Sequence, residues 1–181
     1  NIPGMKERWG KSIFHCPFCH GYELNQGKIA VFASMPSSEH HGLMLPDWGP
    51  TTYFTNGQFE PEHVEPLAKR GVIIERSPVE SVSGDPERGI TLNLKDGRHL
   101  DFAGLFLAPK TRPASNLAEQ LGCALDDSPA GKFIRTDAMK ATTIPGVFAC
   151  GDAARAFGNV AFAVGDGAQG GAATHQSLMF G

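Results

Sequence analysis

The sequence predicts an α/β fold built around a parallel sheet. Two apolar runs of strand type, at 28–33 and 51–55, are each followed by a helix-forming stretch, at 34–47 and 61–70. Strands that alternate with helices in this way are typical of a three-layer nucleotide-binding domain. Short strands separated by glycine-containing turns come next, and this change of period predicts an antiparallel β-meander.

The individual elements follow from their boundary residues. Ser37 or Ser38 is expected as the N-cap of the first helix and Pro46 as its end, and Gly71 is expected to close the second helix in a left-handed conformation. The meander is predicted from four strands, at 72–75, 78–82, 90–94 and 99–102. Beyond it we expect strands at 105–108 and 146–150, a short helix at 117–121 and a long helix at 161–179.

Composition excludes several functional classes. Lys and Arg number 16 against 19 Asp and Glu in 181 residues, so the chain presents no basic field for nucleic acid. No apolar run approaches the roughly 18 residues of a membrane span. Four cysteines are too few for a disulfide scaffold and fit a reducing, cytoplasmic compartment. The chain opens at Asn1 without the pattern of a signal peptide, and we expect it to be a C-terminal fragment.

The segment Cys16-Pro-Phe-Cys19 carries the clearest chemistry. Two thiols three positions apart can close a small disulfide, and a helix N-terminus at this point would favour a thiolate with a lowered pKa. His15 and His20 flank the pair and can carry protons during thiol–disulfide exchange. Two other interpretations stay open: a pair of incidental core thiols, or half of a zinc site completed by His15, His20, His40, His41 or His63.

The order of these segments resembles the low-molecular-weight thioredoxin reductase family of FAD-dependent disulfide oxidoreductases. The resemblance rests on SIFHCPFCHGYE, DFAGLFLAPKTRP, TTIPGVFACGDAA and VAFAVGDGAQGGAATHQSL, which together run over nearly the whole chain. Residues 1–12 are polar and contain Pro3, Gly4 and Gly10, which predicts a linker. The resemblance implies a redox-dithiol and pyridine-nucleotide-type domain at 13–103 and the C-terminal part of a discontinuous FAD domain at 104–181. It also implies a homodimer that acts on a dithiol or disulfide substrate, either a small molecule or a thioredoxin-like protein.

The resemblance assigns roles to particular residues. Cys19 would be the thiol nearer the flavin and Cys16 the one that exchanges with substrate. Asp152 would accept hydrogen bonds from ribityl hydroxyls, while Gly151 lets the backbone approach the cofactor closely. The stretch Asn159-Val160 opens the last helix, whose N-terminal N–H groups would face the flavin. No residue is assigned to a metal.

Two departures from the family pattern bear on the direction of electron flow. Family reductases carry an acidic residue directly after the CxxC motif, whereas this chain has His20. The sequence CPFCHGYE resembles more closely the branch that contains FAD- and oxygen-dependent dithiol oxidases, in which His20 would serve as the acid/base. The expected nucleotide-binding turn, VFASMPSS, contains no glycine, and this argues against NADPH binding. The resemblance thus implies FAD as the cofactor, and NADPH binding is left open.

Overall fold

A computed structural model describes residues 2–180 of the protein. Asn1 and Gly181, the outer ends of the predicted ranges 1–12 and 104–181, lie outside the described residues. The chain divides into two compact units, one ending at Pro109 and the other beginning at Lys110.

The first unit is built on a five-stranded parallel sheet, as predicted. The strands of this unit are, in chain order, β1 Ile13–Phe14, β2 Ile29–Phe32, β3 Thr51–Phe54, β4 Ile73–Glu75, β5 Val79–Ser83, β6 Ile90–Leu94, β7 His99–Phe102 and β8 Gly104–Leu107. The parallel sheet has the order β1-β8-β2-β3-β4. Strands β5, β6 and β7 form a separate antiparallel sheet.

Both faces of the parallel sheet are buried, and strand β2 shows how. Ala30 and Phe32 point to the face that packs against the meander, while Ile29 and Val31 point to the opposite face. Side chains on neighbouring residues of a strand point to opposite faces, so an uninterrupted apolar run is what a central strand requires. The three-layer α/β prediction is confirmed.

Helices cover the face of the sheet opposite the meander. The helices of this unit are α1 Pro17–His20, α2 Ser38–Met44 and α3 Val64–Lys69. Leu67 of α3 is fully buried in the same apolar cluster as Val31. Gly71 closes α3 with a φ of +73°, as predicted. Ser37 is the N-cap of α2 but makes no capping hydrogen bond through its side chain.

The predicted meander was one strand too long. Residues 72–75 do not join it, because β4 pairs in parallel with β3. A strand that follows a helix returns beside the preceding parallel strand, and the helix α3 provides this crossover. Because β4 is only three residues long, its sequence does not distinguish a strand of the parallel sheet from a strand of the meander.

The N-terminal residues pack on the meander. Ile2 and Met5 contact its apolar cluster, and the N–H of Val82 donates a 3.0 Å hydrogen bond to the carbonyl of Pro3. A side chain at Gly4 would place its Cβ 2.1 Å from the Val82 carbonyl oxygen, so only glycine fits there.

The second unit combines a hairpin with a long helix. Its elements are α4 Leu117–Gln120, β9 Leu125–Ser128, β10 Gly131–Ile134 and α5 Val160–Phe180. The strand predicted at 146–150 was wrong: the N–H groups of Val147 and Ala149 bond to carbonyls at Ile144 and Lys140, so this stretch closes a local turn. The hairpin was not predicted, because its residues do not alternate clearly between apolar and polar. No described helix is long and apolar enough to cross a membrane.

Candidate redox site

The two cysteines of the CxxC motif lie at the start of α1. Cys16 is the N-cap residue, Pro17 occupies the first helical position, and Cys19 follows within the same turn. The two sulfur atoms are 2.6 Å apart, and neither cysteine is paired elsewhere among the described residues. The pair can therefore exchange between a dithiol and a disulfide with little backbone movement.

The two thiols are not equivalent. Because the thiol of Cys19 donates a hydrogen bond to Cys16, and because burial adds to the effect, the pKa of Cys19 is raised to about 11. The lowered pKa expected from the helix N-terminus is thus wrong for Cys19. A helix of one turn supplies little dipole, and the shared proton dominates. The Cys19 thiol keeps its proton and donates the hydrogen bond, and the Cys16 sulfur accepts that bond.

Aromatic packing fixes the short helix that carries the dithiol. The ring of Phe14, in β1, stacks on His20 at 4.3 Å and contacts Phe106 at 5.6 Å between ring centroids. Trp48 supports the other end, since a Cβ at Gly21 would lie 2.6 Å from its ring. Gly21 is therefore required by this close approach, and aromatic rings contact α1 and the residue that follows it.

His20 is paired with a carboxylate that the sequence analysis did not identify. Its Nδ1 atom lies 3.3 Å from Oε2 of Glu23. A carboxylate accepts from Nδ1–H, which leaves Nε2 as the nitrogen available to take up or release a proton. The i,i+3 spacing of His20 and Glu23 was the available signal. The structure brings Cys16, Cys19 and His20 together on one helical turn.

The surface beside the dithiol is apolar. Phe18, between the two cysteines, is 79% exposed, and Tyr22 is 90% exposed. The Phe18 ring meets Trp48 edge-to-face at 5.5 Å. Exposed aromatic rings of this kind favour contact with an apolar partner.

The remaining histidines do not converge. His15 stacks on Trp9, and His63 bonds through Nδ1 to Glu39 at 3.0 Å. Within residues 2–180, no three His, Cys, Asp or Glu side chains are grouped so that they could hold a metal ion. The zinc interpretation therefore has no geometric support in the part of the chain that the structure describes.

The turn after β2, where a dinucleotide phosphate would lie, is occupied by the chain itself. The hydroxyl of Ser38 accepts hydrogen bonds from the N–H groups of Ser34 at 3.1 Å and Met35 at 3.2 Å. The hydroxyl of Ser34 in turn donates to the carbonyl of Ala108 at 2.7 Å. Backbone N–H groups that would cradle a phosphate are thus already used.

A buried carboxylate closes the same end of the sheet. Glu39, in the first turn of α2, accepts hydrogen bonds from the N–H groups of Glu62 at 2.9 Å and His63 at 3.0 Å. These bonds tie the loop after β3 to α2. Since nucleotides bind at the carboxyl ends of parallel strands, Glu39 places a negative charge where phosphates would otherwise approach. No local sequence pattern predicts this contact, because its partners lie 23 and 24 positions apart along the chain.

In the second unit, Gly151 and Asp152 begin the helical turn Gly151–Ala154. Gly151 has a φ of +64°, a conformation that favours glycine. The Asp152 carboxylate lies over Gly158, where a Cβ would be only 1.8 Å from Oδ1. The glycine thus makes room for an exposed carboxylate at a fixed position.

Asn159 and Val160 open α5 as predicted. The Asn159 side-chain oxygen accepts a 2.8 Å hydrogen bond from the N–H of Phe162, which makes it the N-cap. The first N–H groups of a helix have no partner within it, and Val160 is 81% exposed. An exposed carboxylate against Gly158 and a helix N-terminus that opens two residues later are polar groups that could hold a flavin nucleotide.

A buried ion cluster holds this loop against α5. Asp166, 4% exposed, accepts hydrogen bonds from Arg155 (Nη2, 2.8 Å) and lies 2.9 Å from Nζ of Lys140. Hydrogen bonds from Arg155, and then from Lys140, hold the pKa of the Asp166 carboxyl well below its usual range. The Arg155 guanidinium also covers the ring of Phe162 at 4.7 Å. No local sequence pattern predicts this cluster, because its members span 26 positions along the chain.

The fold and the redox site define a class: a nucleotide-domain protein that carries a CxxC dithiol. The family model described as "Pyridine nucleotide-disulphide oxidoreductase" matches residues 55–169. The chain belongs to this family, and the prediction of an oxidoreductase is confirmed at that level.

Relatives and solved structures agree with this assignment. The chain is 32% identical to "Thioredoxin reductase sirT" of Leptosphaeria maculans over 94% of its own length and 57% of that protein. It is 26% identical to "Thioredoxin reductase aclD" of Aspergillus oryzae, over 92% of its length and 56% of that protein. The crystal structure of an oxidoreductase from Agrobacterium tumefaciens superposes with a TM-score of 0.92 at 52% identity, covering 99% of this chain and 60% of that one. The chain thus spans little more than half the length of these proteins.

The inequality of the two thiols is testable by alkylation. With the pKa of Cys19 raised to about 11, only about one Cys19 thiol in a thousand is ionised at pH 8, and thiolates are the reactive form. We expect iodoacetamide to modify Cys16 about tenfold or more faster than Cys19. Peptide mass spectrometry at short times measures both rates. Cys19 is the more exposed of the two, so faster labelling of Cys19 would show that access and not ionisation controls the pair.

Proposed function

We propose that the protein is a thioredoxin reductase-like flavoprotein that exchanges electrons between a dithiol or disulfide substrate, the Cys16–Cys19 pair and FAD. The observation that carries this proposal is the 2.6 Å separation of the two sulfurs at the start of α1. The names of the curated relatives support it. Family resemblance supports a homodimer, and the small number of cysteines beside a redox-cycling dithiol supports a cytoplasmic location; we propose both on those grounds.

The exchange step balances on the residues of the chain. A substrate thiolate attacks Sγ of Cys16 in the disulfide form, the Cys16–Cys19 bond breaks, and Cys19 leaves and takes a proton. The second substrate thiolate attacks the substrate sulfur of the mixed disulfide and releases Cys16. The substrate loses two electrons and two protons, which the pair gains, and the reverse sequence reduces a disulfide. FAD, when bound, supplies a two-electron acceptor or donor for the pair.

Proton movement is assigned to His20. Glu23 holds its Nδ1, so Nε2 is the nitrogen that takes a proton from an incoming thiol or returns one to a leaving thiolate. The exposed rings of Phe18 and Tyr22 favour a substrate with an apolar surface next to its sulfurs. A small-molecule dithiol or a thioredoxin-like protein with apolar groups beside its sulfurs would fit this surface.

A second candidate function is an FAD- and oxygen-dependent dithiol oxidase. The hydrogen bonds of Ser38 favour it, because they use the N–H groups that a reductase needs for the NADPH pyrophosphate. In that case oxygen takes the electrons that the substrate dithiol delivers. His20, which stands where the reductases carry an acidic residue, also favours the dithiol oxidase.

Anaerobic absorbance spectra of the purified flavoprotein separate these functions. We expect dithiothreitol to bleach the flavin bands and NADPH to leave them unchanged, because the nucleotide turn is closed. Cys123→Ser, which removes a cysteine outside the CxxC motif, serves as the control and should behave as the wild type. Bleaching by NADPH would establish a reductase and contradict the oxidase. A flavin that no dithiol reduces would contradict both.

The flavin assignment of Asp152 is testable at Gly158. In Gly158→Ala the new methyl group would displace the Asp152 carboxylate, a short side chain that can turn away without unfolding the loop. Loss of a charged hydrogen-bond partner should weaken FAD binding about tenfold or more. Fluorescence titration of the apoprotein with FAD measures this effect. The matched control is Gly165→Ala in α5, where a Cβ meets no atom within 4 Å, and an equal loss there would contradict the assignment.

A further inference from the structure

His41, a residue of α2, contacts the segment that carries the dithiol. Its Nε2 atom lies 3.0 Å from the carbonyl oxygen of His15, the residue directly before Cys16. A carbonyl oxygen only accepts, so Nε2 carries the proton and donates it. This bond joins residues 26 positions apart. It connects the residue directly before Cys16 to helix α2, which packs on the outside of the sheet.

The other ring nitrogen of His41 is buried and unpaired among the described residues. With Nε2 protonated, Nδ1 is a bare lone pair, and burial is the main reason why the pKa of His41 is lowered. The ring is therefore neutral at pH 7. A buried polar atom without a partner is costly, so the position of this ring calls for an explanation, and its bond to the segment before Cys16 provides one.

We propose that His41 is a positioning residue for the redox pair: its Nε2–H···O=C bond to His15 holds Cys16 within reach of Cys19 and so favours the disulfide. This proposal rests on the proposed function, because it concerns the same dithiol. A neutral ring adds no charge at the sulfurs and acts through geometry alone.

The direction of the effect follows from chain entropy. In the disulfide form the S–S bond itself restrains Cys16, whereas in the dithiol form only the surrounding contacts do. Removing the anchor therefore frees the dithiol form more than the disulfide form and lowers the effective concentration of one thiol at the other. The equilibrium should move toward the dithiol.

Three substitutions of His41 test the anchor. His41→Leu removes the donor and keeps an apolar side chain beside Phe106. His41→Asn has an amide too short to replace Nε2, while His41→Gln places an N–H near the position of Nε2. His40→Leu, at the exposed neighbouring residue, is the matched control.

The measurement is the dithiol–disulfide equilibrium of the Cys16–Cys19 pair in the purified flavoprotein. Protein is equilibrated with mixtures of reduced and oxidised dithiothreitol, and differential alkylation with mass spectrometry gives the oxidised fraction. We expect His41→Leu and His41→Asn to shift the equilibrium about three- to tenfold toward the dithiol, the size of one net hydrogen bond; a tenfold shift corresponds to about 30 mV. His41→Gln should restore most of the wild-type value, and His40→Leu should not change it.

A purely structural role would give a different pattern. It would lower the thermal midpoint of the His41 variants and leave the equilibrium of the folded protein unchanged, which would overturn the proposal. An equal shift in the Leu, Asn and Gln variants would also overturn it, because the donor would then be irrelevant. If the wild-type pair does not interconvert in these buffers, the proposed function itself fails. If it does and only the variants show no shift, the role of His41 alone is refuted.

Discussion

The two-residue strand β1, which pairs in parallel with β8, holds the dithiol in place. Ile13 and Phe14 of β1 pair with Leu105 and Phe106 of β8, about 90 positions further along the chain. Ile13 reaches the apolar cluster on one face of the sheet and Phe14 the cluster on the other. Because Phe14 also stacks on His20, the position of the redox helix depends on this long-range pairing.

The other functional feature of the first unit is a nucleotide turn that satisfies its own hydrogen bonds. The Ser38 hydroxyl accepts the hydrogen bonds of the Ser34 and Met35 N–H groups in place of a bound phosphate. The Glu39 carboxylate accepts a hydrogen bond from the loop after β3 in the same way. The layered fold of a nucleotide domain is thereby kept without glycines at the turn. Such a domain serves as a scaffold for the dithiol, and α2 links the two regions, with Ser38 at the turn and His41 one helical turn later beside His15.

The sequence predicted those parts of the protein that local patterns encode. The uninterrupted apolar run of β2, the αL glycine at Gly71 and the spacing of Cys16 and Cys19 each reflect physics within a few residues. Prediction from sequence failed where residues far apart in the chain determine the pairing of a strand or the contacts of a side chain. Residues 72–75 look like a meander strand until β3 is placed beside them. Residues 146–150 look like a strand, although their pairing amounts to an isolated bridge between Phe148 and Ala141. The Asp166 cluster and the His41–His15 bond form only in the tertiary fold, and no local sequence pattern predicts them.

In the proposed mechanism, Cys16 exchanges with substrate and Cys19 exchanges electrons with the flavin. The most direct test is the absorption spectrum of the oxidised flavoprotein in the Cys16→Ser and Cys19→Ser variants. Cys16→Ser removes the hydrogen bond that chiefly raises the pKa of Cys19, so its Cys19 thiolate should give a long-wavelength charge-transfer band with the flavin above neutral pH. Cys19→Ser should show no such band. Identical spectra, or a band only in Cys19→Ser, would contradict the assignment.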